Sequence, residues 1–76
     1  MYPETLSHIL VFKTDIRVAD VEKLHAILGT LPGVRQWNVD CQDIDHVLRV
    51  ESDDVTPVEI IRHLKDAGFF CEELPD

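Results

Sequence analysis

The alternation of hydrophobic and polar positions changes its period several times along the chain. Residues 8–13 form a short apolar run rich in β-branched and aromatic side chains, which predicts a strand with two apolar faces. Over residues 18–31 apolar side chains recur at helical spacing, and the Pro-Gly pair at residues 32–33 ends the predicted helix. We expect Thr14 or Asp15 to cap the start of this helix.

Two strands, a second helix and a last strand follow. Residues 34–41 alternate between apolar and polar side chains, and residues 46–51 do so again after a polar turn, which predicts a β-hairpin. The Thr-Pro-Val-Glu sequence at residues 56–59 is a capping box with proline at the first helical position. It predicts a helix that ends at Gly68. Residues 69–71 predict a short final strand.

The predicted order of elements is βαββαβ. A right-handed crossover joins the first two strands, and the third strand then lies between them in the sheet. This order predicts an α+β fold, the ferredoxin-like plait, with a four-stranded antiparallel sheet of order 4-1-3-2 and both helices on one face. We expect residues 1–76 to form one domain. Cys41 and Cys71 are then buried thiols on opposite edges of the sheet, too far apart for a disulfide.

Charge and composition exclude several functions. Fifteen acidic residues against seven basic ones leave a net charge of −8, which argues against binding nucleic acid or an anionic membrane. No apolar run approaches the ~20 residues of a membrane span, and no secretory signal precedes the first strand. We expect a cytoplasmic protein. The chain also lacks a Gly-x-Ser-x-Gly sequence and a glycine-rich phosphate loop, so we expect no enzymatic activity.

Several short segments resemble one known family. They are Val-Glu-Lys-Leu at residues 21–24, Leu-Pro-Gly-Val at residues 31–34, Trp-Asn-Val-Asp at residues 37–40 and Ala-Gly-Phe at residues 67–69. In this order they resemble the heavy-metal-associated (HMA) domain of copper chaperones and metal-transporting ATPases. The resemblance extends over residues 8–74, and it implies the same ferredoxin-like fold.

The metal-binding motif of that family is absent. HMA domains bind soft metal ions through Gly-Met-x-Cys-x-x-Cys, in the loop before the first helix. In this sequence the two cysteine positions fall on Arg17 and Asp20, and the Gly-Met pair falls on Thr14 and Asp15. An arginine side chain does not ligate a metal ion at ordinary pH. We therefore expect a non-enzymatic interaction or regulatory module that holds no metal or cofactor.

Two other functions stay open. The plait brings the first loop and the hairpin turn to one end of the sheet, where hard oxygen ligands and one imidazole would hold a divalent ion weakly. The candidate ligands are Asp15, Asp20, Asp43, Asp45 and His46. The simpler interpretation is a solvated acidic rim. A phosphate-directed enzyme around Arg17 is the third hypothesis, since acylphosphatases share this plait, although the loop is acidic and lacks glycine.

The face of the sheet opposite the helices is expected to be open. Ile9, Val11, Val47 and Phe70 are predicted to point to that side. An apolar patch on a small domain is typical of a contact surface, here for a partner protein or a homodimer. The alternative interpretation is that these are isolated aliphatic residues on the surface, which are common and mark no contact site. The backbones of the two edge strands offer a second route to a partner, by strand addition.

Overall fold

A computed structural model describes residues 8–74 and shows the ferredoxin-like plait. The elements are β1 (His8–Thr14), a 3₁₀ turn (Val18–Asp20), α1 (Val21–Leu28), β2 (Val34–Asp40), β3 (Val47–Ser52), α2 (Pro57–Asp66) and β4 (Cys71–Glu73). The four strands are antiparallel and lie in the order β2-β3-β1-β4, which confirms the predicted topology. Residues 1–7 and 75–76 of the predicted domain lie outside the described residues.

One hydrophobic core joins the sheet to both helices. On its inner face, β1 and β3 are linked by two apolar cross-strand pairs, Leu10–Val50 and Phe12–Leu48. The helices contribute four side chains that are at most 1% exposed, Leu24, Leu28, Ile60 and Leu64. Because all of these pack into or against one cluster, both helices cover the same face of the sheet.

Helix α2 begins at the predicted capping box. The Thr56 hydroxyl accepts a hydrogen bond from the Glu59 amide at 3.3 Å, and a Glu59 carboxylate oxygen accepts one from the Thr56 amide at 3.1 Å. Val55 and Ile60, on either side of this box, are both buried in the core. Thr56 and Glu59 therefore each accept a hydrogen bond from the other's backbone amide and stabilise the first turn of the helix.

Helix α1 begins differently from the prediction. Neither Thr14 nor Asp15 caps it. Instead the chain enters through the 3₁₀ turn, and the Asp20 carboxylate accepts a hydrogen bond from the Arg17 amide at 3.0 Å. Ile16, in the middle of this polar stretch, is completely buried. A single apolar residue in a loop has no periodicity, so the pattern of the sequence did not reveal its place in the core.

The end of α2 explains why β4 lies two residues later than predicted. Gly68 has a positive φ of 95°, and its amide donates to the Lys65 carbonyl. The Phe69 amide donates to the Leu64 carbonyl, which completes a Schellman motif, and Phe69 is buried. The helix cap thus uses Phe69, and β4 starts only at Cys71. Ala67, just before Gly68, is exposed.

None of the helices within residues 8–74 is both long enough and apolar enough to span a membrane.

The capping box predicts a measurable loss of stability. Thr56→Ala removes the acceptor for the Glu59 amide, and we expect the free energy of unfolding to fall by about 1 kcal/mol in urea denaturation. Thr56→Ser keeps the hydroxyl and is the matched control. Equal losses in the two variants would show that the hydroxyl does not stabilise the helix.

Candidate interaction site

Three connections meet at one end of the sheet. They are the end of β1 with the β1–α1 loop (residues 14–20), the β2–β3 turn (residues 41–46) and the α2–β4 connection (residues 67–70), and we call them together the loop end. The Thr14 amide donates to the Asp45 carbonyl at 3.0 Å. The Phe70 amide donates to the Asp15 carboxylate, also at 3.0 Å. These bonds hold the first connection to each of the other two.

A buried threonine and a histidine fasten the β1–α1 loop to the β2–β3 turn. The hydroxyl of Thr14, which is 4% exposed, donates to the His46 carbonyl at 2.6 Å and accepts from the Ile16 amide at 3.1 Å. The His46 Nδ1 atom lies 2.7 Å from the Ile16 carbonyl oxygen. Since a carbonyl only accepts, Nδ1 carries the hydrogen of this bond. We call these three bonds the Thr14–His46 latch.

The latch also fixes an uncommon backbone conformation. His46 has a φ of 45°, in the left-handed region that residues other than glycine rarely adopt. Its amide donates to the Asp43 carbonyl at 3.0 Å, so both its main-chain groups and its ring are bonded. These bonds hold His46 in place at the junction between the turn and β3.

The aspartates predicted as metal ligands accept hydrogen bonds from backbone amides. The carboxylate of Asp15 accepts from the Phe70 amide, and that of Asp20 accepts from the Arg17 amide. The carboxylate of Asp43 accepts from the Asp45 amide at 2.8 Å. Each aspartate therefore stabilises a loop or turn through a charge-assisted hydrogen bond. These bonds explain the placement of the carboxylates without a bound ion.

Only some of those residues share a surface. Asp15, Asp20 and His46 line an open depression of about 490 Å³, together with Arg17 and Lys23, whereas Asp43 is not among its lining residues. The two basic side chains oppose the binding of a cation there. Across residues 8–74 there is no group of three or more histidine, cysteine or acidic side chains arranged to hold a metal ion.

The loop end displays three exposed apolar side chains, of which the sequence pattern singled out only Phe70. Ile44 is 90% exposed in the β2–β3 turn, Val18 is 75% exposed in the 3₁₀ turn, and Phe70 is 45% exposed. Ile44 lies between Asp43 and Asp45 in a tight turn, a position that polar residues usually occupy. An isoleucine between two turn aspartates was the available sequence signal for this surface.

The predicted contact residues of the open sheet face differ in exposure and in position. Ile9 is 59% exposed and Val11 is half-buried, but Val47 is only 8% exposed. Phe70 adjoins the end of β1 at Thr14, which pairs with Cys71. Five residues of strand, or about 16 Å, separate Ile9 from Thr14. Phe70 therefore belongs to the loop end, and Ile9 lies at the opposite end of β1.

The two cysteines have different environments and form no disulfide. Cys71 is 3% exposed and packs in the core, whereas Cys41, predicted to be buried, is half-buried at the end of β2. Burial raises the pKa of the Cys71 thiol from its ordinary 9.0 to about 12, although nearby Lys65 partly opposes the shift. Cys71 is therefore a protonated core residue at neutral pH.

No family model, curated protein or solved structure matches this chain.

The Thr14–His46 latch predicts a stability loss that an exposed threonine does not show. Thr14→Val keeps the volume but leaves the Ile16 amide and the His46 carbonyl without this partner, and we expect a loss of about 1–3 kcal/mol in urea denaturation. Thr30→Val, which removes an exposed hydroxyl bonded to the Ile27 carbonyl, should change the free energy of unfolding much less. Equal effects would contradict the latch.

Burial of Cys71 predicts selective alkylation. At pH 8 iodoacetamide should modify Cys41 in the native protein and leave Cys71 unmodified, because the Cys71 thiol is buried and protonated. Peptide mass spectrometry measures both sites, and unfolding in urea should expose Cys71. Rapid native alkylation of Cys71 would contradict this assignment.

The raised pKa of Cys71 also predicts that stability depends on pH. Because the folded protein holds the thiol proton more tightly than the unfolded chain does, the free energy of unfolding should fall as the pH rises from 9 to about 12.

Proposed function

We propose that this protein is a metal-independent interaction module that binds another protein through its loop end. The exposed apolar side chains of Val18, Ile44 and Phe70 carry the proposal. They lie on three connections that hydrogen bonds hold at one end of the sheet. Exposed apolar groups on ordered loops are typical of contact surfaces, because burying them against a partner is favourable and costs little further ordering.

The charge of the loop end indicates the kind of partner. Aspartates at positions 15, 20, 43 and 45 lie in the β1–α1 loop and the β2–β3 turn, and the whole chain carries a net charge of −8. Lys13 is already engaged with Asp45, at 3.6 Å. A partner with a basic rim around an apolar centre would complement this surface and associate faster at low salt.

A relationship to the HMA domain is part of the proposal. The ferredoxin-like order of strands is the fold that the resemblance implies. Gly33, in the Leu-Pro-Gly-Val segment, has a φ of 97°, and Gly68, in the Ala-Gly-Phe segment, has a φ of 95°. In this proposal the chain keeps those turns, and Arg17 and Asp20 take the place of the cysteine pair in a loop ordered by its own hydrogen bonds.

Cross-linking at single positions tests the proposed surface. A photoreactive benzoylphenylalanine at position 44 should capture a discrete partner in cells of the source organism, whereas one at position 58 should not. Val58 is the matched control, because it is an aliphatic residue 64% exposed on α2. A third variant, with benzoylphenylalanine at position 9, tests whether the open sheet face contacts a partner or forms a homodimer.

The captured partner must then bind the purified domain directly. We expect Ile44→Asp to weaken binding about tenfold or more in calorimetry, because it removes an apolar contact that is buried in the complex. Val58→Asp should leave binding unchanged. Capture at position 9 alone, or equal effects of the two substitutions, would contradict the loop end as the binding surface.

Metal binding at the loop end is the alternative function. One observation favours it: Asp15, Asp20 and His46 line the same depression. A cation would have to compete there with Arg17 and with the backbone amides that Asp15 and Asp20 now bind. Titration with Zn(II) and Cu(I) separates the two functions. Stoichiometric uptake with a shift of the His46 ring signals would favour the alternative, and no response would favour the interaction module.

A further inference from the structure

An open groove of about 520 Å³ lies between α1 and β2 and shares no lining residue with the loop-end depression. Val21, His25 and Leu28 of α1 form one wall, and residues 34–39 of β2 form the other. The ring of Trp37 is half-buried in this wall and meets the His25 ring edge-on, with 4.9 Å between ring centroids. Apolar side chains thus line a surface that the rest of residues 8–74 leaves open.

Beside the groove, β2 is an edge strand. A bulge between Val34 and Gln36 interrupts its pairing with β3, and a regular ladder runs from Gln36 to Asp40. These five residues include no proline and no lysine, two features that often block the pairing of an edge strand. The other edge strand, β4, has only three residues. Within residues 8–74, the outer edge of β2 from Gln36 to Asp40 is therefore longer than that of β4.

We propose that the groove binds an extended segment of another protein, which pairs with β2 as a fifth strand. Successive side chains of a strand point to opposite faces of the sheet, so alternate side chains of the added segment enter the groove. Backbone hydrogen bonds to β2 provide affinity, and apolar residues that line the groove, among them Val21, Trp37 and Val39, select apolar side chains. This site is separate from the loop end and does not depend on the function proposed for it.

Charge at the two ends of the groove selects a basic segment. Glu22 follows the groove residue Val21 and Asp40 follows Val39, so both acidic residues lie at the same end of the groove. The Asp40 side chain points to the sheet face opposite Val39. At the other end the Arg35 guanidinium is 3.4 Å from the Asp53 carboxylate, which balances its charge. The matching ligand has apolar side chains at alternate positions and a lysine or arginine beside Asp40.

A second copy of this chain is a poorer occupant of the same edge. Each copy carries a net charge of −8, which opposes self-association. A basic segment from another protein instead gains from that charge at moderate salt.

Selection from a display library of random peptides tests the proposal. Peptides of about twelve residues are long enough to pair with the regular part of β2. Selection on the full chain should enrich alternating apolar residues next to lysine or arginine. Amide chemical shifts should change over residues 36–40 of β2 when a selected synthetic peptide binds.

Two matched comparisons locate the bound peptide. His25→Lys adds a positive charge to the groove wall and should weaken binding about three- to fivefold in fluorescence anisotropy. His63→Lys makes the same change at an exposed position of α2, outside the groove, and should have little effect. N-methylation of alternate peptide amides, which prevents strand pairing without changing the protein, should abolish binding.

The other outcomes overturn the proposal. Selected peptides that are neutral or acidic, or that tolerate N-methylation at every amide, would contradict a basic added strand. Peptides that lose binding with Ile44→Asp and not with His25→Lys would place the contact at the loop end, which leaves the proposed function standing. A dimer in sedimentation whose shifts map to β2 would assign the edge to a second copy.

Discussion

The loop end of this molecule depends on the hydroxyl group of Thr14. This group is buried, and it donates to the carbonyl of His46 while it accepts from the amide of Ile16. The ring of His46 donates a hydrogen bond to the carbonyl of Ile16, so the polar groups of two distant segments are paired with each other. Because a buried polar group without a partner is costly, this arrangement fixes the β1–α1 loop against the β2–β3 turn.

A loop ordered in this way has consequences for its chemistry. Asp15 and Asp20 would be the natural oxygen ligands, but both accept hydrogen bonds from backbone amides. Ile16 points into the core, whereas Val18 and Ile44 stay exposed. The loop end therefore presents an ordered surface with exposed apolar side chains and several aspartates, and this is the surface that we propose for contact with a basic partner.

The sequence was sufficient to predict the plait because its strands and helices have clear periods. Alternation placed Val50 and Leu48 on the inner face of β3, and the Thr56–Glu59 capping box located the start of α2. Contacts between distant residues left no such signal. Thr14 and His46 are 32 positions apart, and nothing in the local pattern shows that their polar groups are partners.

The remaining errors have similar causes. The start of β4 was predicted too early because the Schellman motif uses Phe69, and an apolar residue after Gly68 fits a strand as well as a helix cap. The groove along β2 was missed because its walls come from two elements whose relative position depends on the tertiary fold. The sequence did indicate a free strand edge, but it did not indicate which edge has a groove beside it.

Hydrogen exchange at the loop end tests most directly whether this protein orders its own loops without a metal ion. The amides of Thr14, Ile16 and Phe70 each donate to a loop-end partner. Our account predicts that these amides exchange slowly in the presence of a strong chelator, and that added Zn(II) or Cu(I) does not change their rates. Rapid exchange in the chelator, followed by protection when either metal ion is added, would contradict the account.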